Sequence, residues 1–311
     1  MKRTIVITDW GFPSLEPEQA VFSNEDIDLK AHQCKTEDEV ASVSADADVV
    51  MVQWAPVKRK ALEAMRKCRG IVRYGIGLDN IDLATARERG IPVRNVPDYC
   101  LHEVADHTLG LLLALQRQVV RVFDLVKAGT WKITPPLQLP PLRDCTLGLV
   151  GFGRIAQLVA ERARGFGTRI VASDPFIADD VFRKAGVEKV PSAELIQRAD
   201  LISLHCPLTE ETRHVINASS LANMKPTALL VNTGRGGLID TDALATVLGE
   251  RRIAGAALDV LEQEPIPSDH ALLKLDNVII TSHISWYSSA SIKELQRKAA
   301  LAALELLGKP S

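Results

Sequence analysis

The sequence predicts an α/β protein with two parallel-sheet domains, and three observations support that fold class. Short β-rich runs alternate with helical patterns along almost the whole chain, as they do in parallel sheets covered by helices. The length of 311 residues suggests about two domains. A glycine-rich turn joins a strand to a helix near the middle of the chain. We therefore expect two separate sheets, each with its own core.

The composition excludes several functional classes. The 37 Lys and Arg residues nearly balance the 39 Asp and Glu residues, for a formal net charge of -2, so we expect neither nucleic-acid binding nor a polybasic membrane patch. The apolar runs are far shorter than the roughly 20 residues of a membrane span, and the N-terminus lacks signal-peptide features. The five widely spaced cysteines fit no zinc or redox pattern. We expect a soluble, cytoplasmic protein that acts on a small molecule.

The first predicted sheet has five strands, at 4–8, 27–31, 49–53, 70–74 and 92–96, with helical stretches around 37–43 and 58–67. A longer helix follows, because apolar residues recur every three or four positions from Val104 to Val119. Four prolines between residues 131 and 142 then predict an extended crossover, since proline cannot continue a helix.

The second predicted sheet has six strands, at 146–150, 169–173, 201–205, 228–232, 255–259 and 278–282. A final helix spans 293–307 and follows the last strand of this sheet. We expect this helix to cross back and cover the first domain, which would then be discontinuous.

The turn after the first strand of the second sheet has the character of a dinucleotide-binding turn. Gly151 permits a tight turn, Gly153 lets the backbone approach a pyrophosphate, and the small Ala156 lets helix and strand pack closely. The helix that begins at Arg154 and Ile155 would point its N-terminus at the phosphates. A glycine pattern alone is weak evidence, but here it lies between a predicted strand and a predicted helix.

Asp174 follows the next strand, 21 residues after Gly153, where a carboxylate can accept hydrogen bonds from an adenosine ribose and repel a 2'-phosphate. No arginine immediately follows it to favour NADP. The alternative is that Asp174, which precedes Pro175, is a turn aspartate. The combined pattern predicts NAD as the cofactor.

Polar side chains follow five different predicted strands of the second sheet. Because ligands of open α/β sheets bind beyond the carboxyl ends of the strands, these side chains should lie along one functional edge. They are Asp174, His205, Arg235, Asp259 and His283.

Three loops at this edge carry groups suited to hydride transfer. An imidazolium can protonate the oxygen of a ketone that receives a hydride, so His283 is the candidate acid and base. Glu264 could favour its charged form and hold its tautomer. Arg235 offers a planar fork for a substrate carboxylate. Each residue alone has a structural alternative: Arg235 could pair with an acid, Glu264 could cap a turn, and His283 could be a satisfied strand-end histidine.

These loops, together with segments 73–80, 95–97, 103–108 and 205–209, resemble the D-isomer-specific 2-hydroxyacid dehydrogenases. That family includes phosphoglycerate dehydrogenase and the C-terminal binding protein corepressors, and the resemblance spans nearly the whole chain. It implies a flavodoxin-like substrate-binding domain at 1–98 and 287–311, with an NAD-binding Rossmann domain inserted at 99–286. It also implies a homodimer formed through the NAD domain.

The resemblance assigns further site residues. It implies that the backbone at Ile76 and Gly77 grips the substrate carboxylate, and that Arg73 and Trp286 line the substrate pocket as in the corepressor branch. The residues that it implies for the cofactor are Thr108 and Asp259 near the nicotinamide, Thr233 and Gly234 along the cofactor, and His205, Pro207 and Thr209 on the adenosine side.

The sequence thus predicts an NAD-dependent D-2-hydroxyacid dehydrogenase that acts as a reductase of a small 2-oxo acid such as hydroxypyruvate or glyoxylate. The alternative is an NAD(H)-sensing, corepressor-like interaction protein with a vestigial site. Formate dehydrogenase is disfavoured because its histidine normally pairs with glutamine, whereas this chain has Glu264. The cluster from His102 to His107 places only two ligating residues on each helix face, so we predict a hinge or solvated face and no metal.

Overall fold

The computed structural model describes residues 2–132 and 139–308. The chain divides into two compact units: the first comprises Met1–Cys100 and Tyr287–Ser311, and the second comprises Leu101–Trp286. Every strand pair described in either unit is parallel. The predicted class, two α/β domains with parallel sheets, is confirmed.

The first unit has a five-stranded sheet in the order β2-β1-β3-β4-β5, which is the flavodoxin-like order. Its strands are β1 (Arg3–Ile7), β2 (Ile27–Ala31), β3 (Val49–Val52), β4 (Ile71–Arg73) and β5 (Val93–Asn95). Its helices are α1 (Glu16–Phe22), α2 (Glu37–Ser44), α3 (Arg59–Ala64), α4 (Leu83–Glu88) and, from the end of the chain, α12 (Ser289–Leu306).

Hydrogen bonds between buried polar side chains link α12 to the rest of the first unit. The Tyr74 hydroxyl donates to Glu18 Oε1 at 2.9 Å, and Gln296 Nε2 donates to Glu18 Oε2 at 2.8 Å. Burial raises the pKa of Glu18 above its usual value, although these two hydrogen bonds act in the opposite direction. Because α12 begins with a capping box at Ser288 and Ser291, its start is also fixed locally.

The second unit has a seven-stranded sheet in the order β12-β11-β10-β9-β6-β7-β8. Its strands are β6 (Thr146–Val150), β7 (Arg169–Ser173), β8 (Glu188–Lys189), β9 (Leu201–Leu204), β10 (Leu229–Asn232), β11 (Gly255–Leu258) and β12 (Val278–Ile280). Its α-helices are α5 (Leu101–Gln116), α6 (Val119–Lys127), α7 (Arg154–Ala163), α8 (Asp179–Lys184), α9 (Ser192–Arg198), α10 (Ala218–Ala222) and α11 (Thr241–Gly249).

The strand order of the second sheet reverses at β6. From β6 the chain proceeds outward to β7 and β8, and it then returns to β9 on the other side of β6 and continues to β12. A crevice therefore opens at the carboxyl ends of β6 and β9, the place where open α/β sheets bind ligands.

Two local features differ from the sequence expectations, and a third expectation is not tested. β8 was not predicted, because an edge strand of two residues carries almost no pattern. The long helix predicted through Val119 instead breaks at Gln118, whose φ of 52° is left-handed, and Val119 begins α6. Part of the predicted proline-rich crossover, at 133–138, lies outside the described residues. Among the described helices, none has the length and apolar character needed to cross a membrane.

Candidate active site

The turn between β6 and α7 requires its first glycine. Gly151 has φ of 89°, and a Cβ atom there would lie 2.6 Å from the backbone nitrogen of Cys206 and 2.7 Å from the carbonyl carbon of His205. β6 and the segment after β9 can therefore approach each other only because residue 151 has no side chain. The turn thus lies at the crevice between these two strands.

The second glycine leaves room for a ligand. Gly153 is the N-cap of α7, at an ordinary φ of -72°, and no heavy atom outside its chain neighbours lies within 4 Å of the position its Cβ would take. Ala156 is fully buried one turn later, where its small side chain permits close packing. An open N-terminus on a ten-residue helix fits the pyrophosphate of a dinucleotide.

Asp174 connects this turn to the loop after β7. Its Oδ2 accepts from the Phe152 N–H at 2.8 Å, and its Oδ1 accepts from the Phe176 and Ile177 N–H groups at 2.9 and 3.3 Å. Asp174 therefore acts as a turn aspartate, the alternative considered from the sequence. Its Oδ2 accepts only one of these hydrogen bonds, and because a carboxylate oxygen has two lone pairs it retains a site for a ribose hydroxyl.

The loop after β9 carries the remaining adenosine-side candidates. His205 Nε2 lies 2.9 Å from Ser203 Oγ, and burial lowers the pKa of His205 to about 4, so its imidazole is neutral at physiological pH. Pro207 and Thr209 belong to a turn closed by Thr212, whose hydroxyl donates to the Pro207 carbonyl at 2.6 Å and accepts from the Thr209 N–H at 2.7 Å.

Two buried threonines join α5 to the loop after β10. The hydroxyl oxygens of Thr108 and Thr233 lie 2.8 Å apart. In that loop Asn232 accepts from the Gly234 N–H at 3.0 Å and donates to the Arg235 carbonyl at 2.8 Å. The Arg235 guanidinium donates to the Gly234 carbonyl at 2.7 Å. Asn232, which sequence reasoning missed, therefore holds the backbone from which Arg235 projects.

The histidine and carboxylate predicted to cooperate are in direct contact. His283 Nδ1 lies 2.7 Å from Glu264 Oε2, and Glu264 Oε1 accepts from the Leu261 N–H at 2.9 Å. Burial opposes ionisation of the Glu264 carboxyl, but its bonds to His283 and Leu261 together with the His283 charge outweigh burial, and its pKa lies below the usual value. A carboxylate at Nδ1 keeps a proton on that nitrogen, so Nε2 is the nitrogen that can exchange a proton.

The Arg235 loop lies against the loop that carries Glu264. A Cβ atom on Gly236 would lie within 2.0 Å of the Leu261 carbonyl group, so the two backbones touch. Their strands, β10 and β11, are also hydrogen-bonded neighbours in the sheet. The structure thus brings Glu264 and His283 into contact and places Arg235 on the adjoining loop.

His283 has a left-handed backbone, with φ of 55°, and Asp259 organises the loop around it. Asp259 Oδ1 accepts from the Thr281 hydroxyl at 2.5 Å and the Ile284 N–H at 2.9 Å, and Oδ2 accepts from the Ser285 N–H at 2.9 Å. Burial opposes ionisation of Asp259, but these hydrogen bonds outweigh it and hold its pKa below the usual value. A non-glycine residue in this conformation at a functional loop is typical of a conformation imposed by its surroundings.

His107 contacts this cluster and does not lie on a solvated face, which was one of the two alternatives predicted for it, beside a hinge. Its Nε2 lies 3.2 Å from Thr281 Oγ1 and 3.6 Å from Asp259 Oδ1, because α5 packs against the ends of β11 and β12. On the same helix His102 and Asp106 instead contact Arg162 of α7 at 2.9 and 2.6 Å. No cluster of three or more metal-ligating residues occurs within the part of the chain described.

The candidate residues of the first unit lie at the carboxyl edge of its own sheet. Arg73 ends β4, and its guanidinium carbon lies 5.4 Å from the centre of the Trp54 ring. Its Nη1 would be only 1.6 Å from a Cβ on Gly75, so this glycine makes room for the guanidinium. The Ile76 carbonyl accepts from Asn95 at 2.6 Å, which fixes the loop that continues to Gly77.

Trp54 is a site candidate that sequence reasoning missed. The Trp54 backbone N–H donates to Asp9 Oδ2 at 2.5 Å, and Asp9 also accepts from the backbone N–H groups of Gln53 and Ala55. Trp286, which was predicted, lies in the second unit, where its indole N–H donates to the His283 carbonyl at 2.7 Å. A tryptophan directly after a buried strand was the one available signal for residue 54.

Together these features define the class: a two-domain α/β oxidoreductase that uses a nicotinamide dinucleotide. The family model described as D-isomer specific 2-hydroxyacid dehydrogenase, NAD binding domain, matches residues 109–285. The chain belongs to the D-isomer-specific 2-hydroxyacid dehydrogenase family. It is thus an NAD-dependent enzyme acting on CH–OH groups, and the comparisons do not support the corepressor-like alternative.

Relatives and solved structures agree with this assignment. The chain is 44% identical over 255 residues to a glyoxylate reductase of Korarchaeum cryptofilum, covering 81% of this chain and 76% of that protein. It is 40% identical over 298 residues to a hydroxypyruvate reductase of Thermotoga maritima, covering 94% of each. The D-lactate dehydrogenase from Aquifex aeolicus, solved with NAD and lactic acid, superposes with a TM-score of 0.89 at 28% identity, covering 98% of this chain and 96% of that one.

Proposed function

We propose that this enzyme reduces a small 2-oxo acid, of the size of glyoxylate or hydroxypyruvate, to the corresponding D-2-hydroxy acid. The contact of 2.7 Å between His283 Nδ1 and Glu264 Oε2 carries the proposal. Bound NADH supplies the hydride. His283 protonates the developing alkoxide, Glu264 stabilises the imidazolium, and Arg235 anchors the substrate carboxylate through its guanidinium. The names of the reductases similar to this chain support the substrate class.

The remaining predicted contacts are part of the same proposal. Arg73 and the backbone at Ile76 and Gly77 bind the substrate, and Trp286 limits the size of its side chain. The cofactor is held by Gly151, Gly153, Arg154, Ile155 and Asp174 at the glycine turn, by His205, Pro207 and Thr209 beside the adenosine, and by Thr108, Thr233, Gly234 and Asp259 towards the nicotinamide. The domain at 1–98 and 287–311 binds substrate, and the domain at 99–286 binds NAD.

The test is a steady-state assay of NADH oxidation with glyoxylate, hydroxypyruvate, pyruvate and phosphohydroxypyruvate. We expect the highest kcat/KM with glyoxylate or hydroxypyruvate. Glu264→Gln should lower kcat, because the imidazolium that forms on His283 loses its carboxylate partner. NADH binding without turnover of any of the four acids would contradict the proposed substrate class.

A matched control lies on the same loop. Glu262 bonds to a different histidine, His214, with Nε2 and Oε1 2.7 Å apart. Glu262→Gln should therefore leave kcat unchanged, although it removes an equivalent charge two residues away. An equal loss of kcat in both variants would show that the loop's net charge, and not the Glu264 contact, sets the rate.

We further propose that the enzyme is a homodimer that buries α6. This helix exposes apolar side chains along one face: Val119 is 56% exposed, Phe123 58% and Val126 41%. An exposed apolar patch of this kind is typical of a protein–protein contact. Sedimentation of Phe123→Glu should give a monomer where the parent protein gives a dimer, and a monomeric parent would contradict the proposal.

A further inference from the structure

A cavity of about 670 Å³ lies at the opposite edge of the second sheet from the glycine turn. It is lined by residues at the amino ends of β6 and β7, among them Thr146 and Arg169, and by groups from the segments that precede β7, β8 and β10. The last lining residue on β7, Val171, lies three residues before Asp174, a distance of about 10 Å at 3.3 Å per residue. The cavity is therefore separate from the cofactor turn.

The charges that line the cavity are mostly positive. Its one lining carboxylate, Glu188, receives two hydrogen bonds of 2.8 Å from Arg198. Lys225 also lines it and is paired with Asp200 at 2.7 Å. The other two cations, Arg164 and Arg169, make no side-chain hydrogen bond or ion pair with any described residue. The cavity therefore offers two uncompensated guanidinium groups to an anion.

Neutral donors supplement the two arginines. Thr146, Thr168 and Gln197 line the cavity, and the side chain of none of them makes a hydrogen bond with the described part of the chain. Both threonines are more than nine-tenths buried, with 7% and 8% of their surface exposed. Their hydroxyl groups are therefore available as donors to an anion beside the two arginines.

The shape of the cavity also specifies the kind of anion. Gly186 has φ of 56°, and a Cβ there would lie 3.2 Å from Arg164 Nη2, so the guanidinium lies close against this glycine. Ile170 and Val171 of β7 complete the lining. Two guanidinium groups with hydroxyl donors match the oxygens of a phosphoryl group.

We propose that this cavity binds a small phosphorylated metabolite through Arg164 and Arg169, at a site distinct from the catalytic one. The volume is within the usual range for small-molecule sites, about 300–1,000 Å³. This proposal does not depend on the identity of the 2-oxo acid, because no residue of the cavity belongs to the proposed catalytic set.

The experiment is calorimetric titration of the NADH-saturated enzyme with glycerol 3-phosphate. NADH occupies the cofactor turn, and the probe has no carboxylate with which to compete for Arg235. We expect saturable binding, weakened about tenfold or more in Arg164→Gln/Arg169→Gln, which corresponds to loss of at least 1.4 kcal/mol. Arg183→Gln is the matched control, since Arg183 is an exposed arginine on α8 outside the cavity, without a described ion pair. It should bind the probe as the parent does.

Several outcomes would overturn the proposal. They are absence of saturable binding to the NADH-bound parent, unchanged affinity in the double variant, and equal loss in Arg183→Gln. Equal affinity for citrate would overturn the phosphoryl assignment. The double variant should retain the parent's NADH-dependent activity, which checks its fold. Thr168→Val gives a second measure, because it removes one donor at nearly constant volume and should weaken binding about threefold.

Discussion

Two turns of the second unit adopt left-handed backbone conformations, and they do so for opposite reasons. Gly151 has φ of 89° and His283 has φ of 55°. At the glycine turn the residue type itself permits the conformation and the close approach of the segment after β9. At the histidine turn the residue type resists it, at a cost of roughly 1–2 kcal/mol. The first turn is therefore encoded locally, whereas the second is imposed by the Asp259 carboxylate, which binds residues on both sides of His283.

The largest effect that distinguishes the two turns is expected from His283→Gly. Turnover should fall about 10²–10⁴-fold, because the proton donor is lost. The free energy of unfolding should change by less than about 1 kcal/mol, since relief of the left-handed strain offsets the added entropy of the unfolded chain. His283→Ala should lose as much activity, but alanine does not relieve the left-handed backbone strain as glycine does. Activity assays and urea unfolding of both variants test this pair, and near-normal turnover in either would rule out the proton-transfer role.

Gly151→Ala should produce the complementary result. The new Cβ would lie 2.6 Å from the Cys206 backbone nitrogen, so we expect a loss of about 3 kcal/mol in the free energy of unfolding. Gly153→Ala is the control, because the space there is open and φ is ordinary. It should keep the parent's stability and lose affinity for NADH. If Gly153→Ala binds NADH as the parent does, the open space is not the pyrophosphate site.

The same contrast explains how much of the site could be predicted from sequence. The observed bounds of β6 and β7 are those predicted, because buried parallel strands have continuous apolar runs. The glycine turn could be predicted because glycine spacing encodes it directly. The histidine turn could not, since Asp259 reaches it across more than twenty residues of sequence. His107 and Asn232 were missed for a similar reason, as their partners are distant in sequence or lie on the backbone.

A smaller effect is expected when the hydrogen bonds that impose the histidine turn are weakened. In Asp259→Asn one acceptor oxygen becomes an amide that faces N–H donors, and bonds to a charged acceptor are worth about 1.5–3 kcal/mol. We expect a stability loss of about 2 kcal/mol together with a lower kcat, because the aim of His283 relaxes. Asp200→Asn provides the comparison. At the other edge of the sheet, the Asp200 carboxylate accepts hydrogen bonds from the Thr146 N–H at 2.8 Å and from the Lys225 ammonium group.

Asp200→Asn should lose stability and keep kcat. The two variants thus separate a general loss of stability from loss of the histidine geometry. An Asp259→Asn enzyme that keeps the parent's kcat would mean that the loop holds His283 without the carboxylate, and the comparison between the two turns would then fail.

The last effect depends on pH and concerns His205, whose carbonyl carbon lies close to the glycine turn. Burial lowers its pKa to about 4, compared with about 6.5 in the unfolded chain. The unfolded state therefore binds a proton first as the pH falls. The stability contributed by this difference is complete above pH about 6.5 and is lost as the pH falls towards about 4, with an upper bound near 3 kcal/mol.

An NMR titration of the imidazole C–H resonance tests this directly, with His205→Gln used to assign the signal. We expect the His205 signal to titrate near pH 4, and the urea midpoint of the parent to fall more steeply than that of His205→Gln as the solution is acidified. Titration near pH 6.5 would mean that water reaches the imidazole. The packing of the segment after β9 against Gly151 would then be looser than the close approach that makes glycine necessary at the cofactor turn.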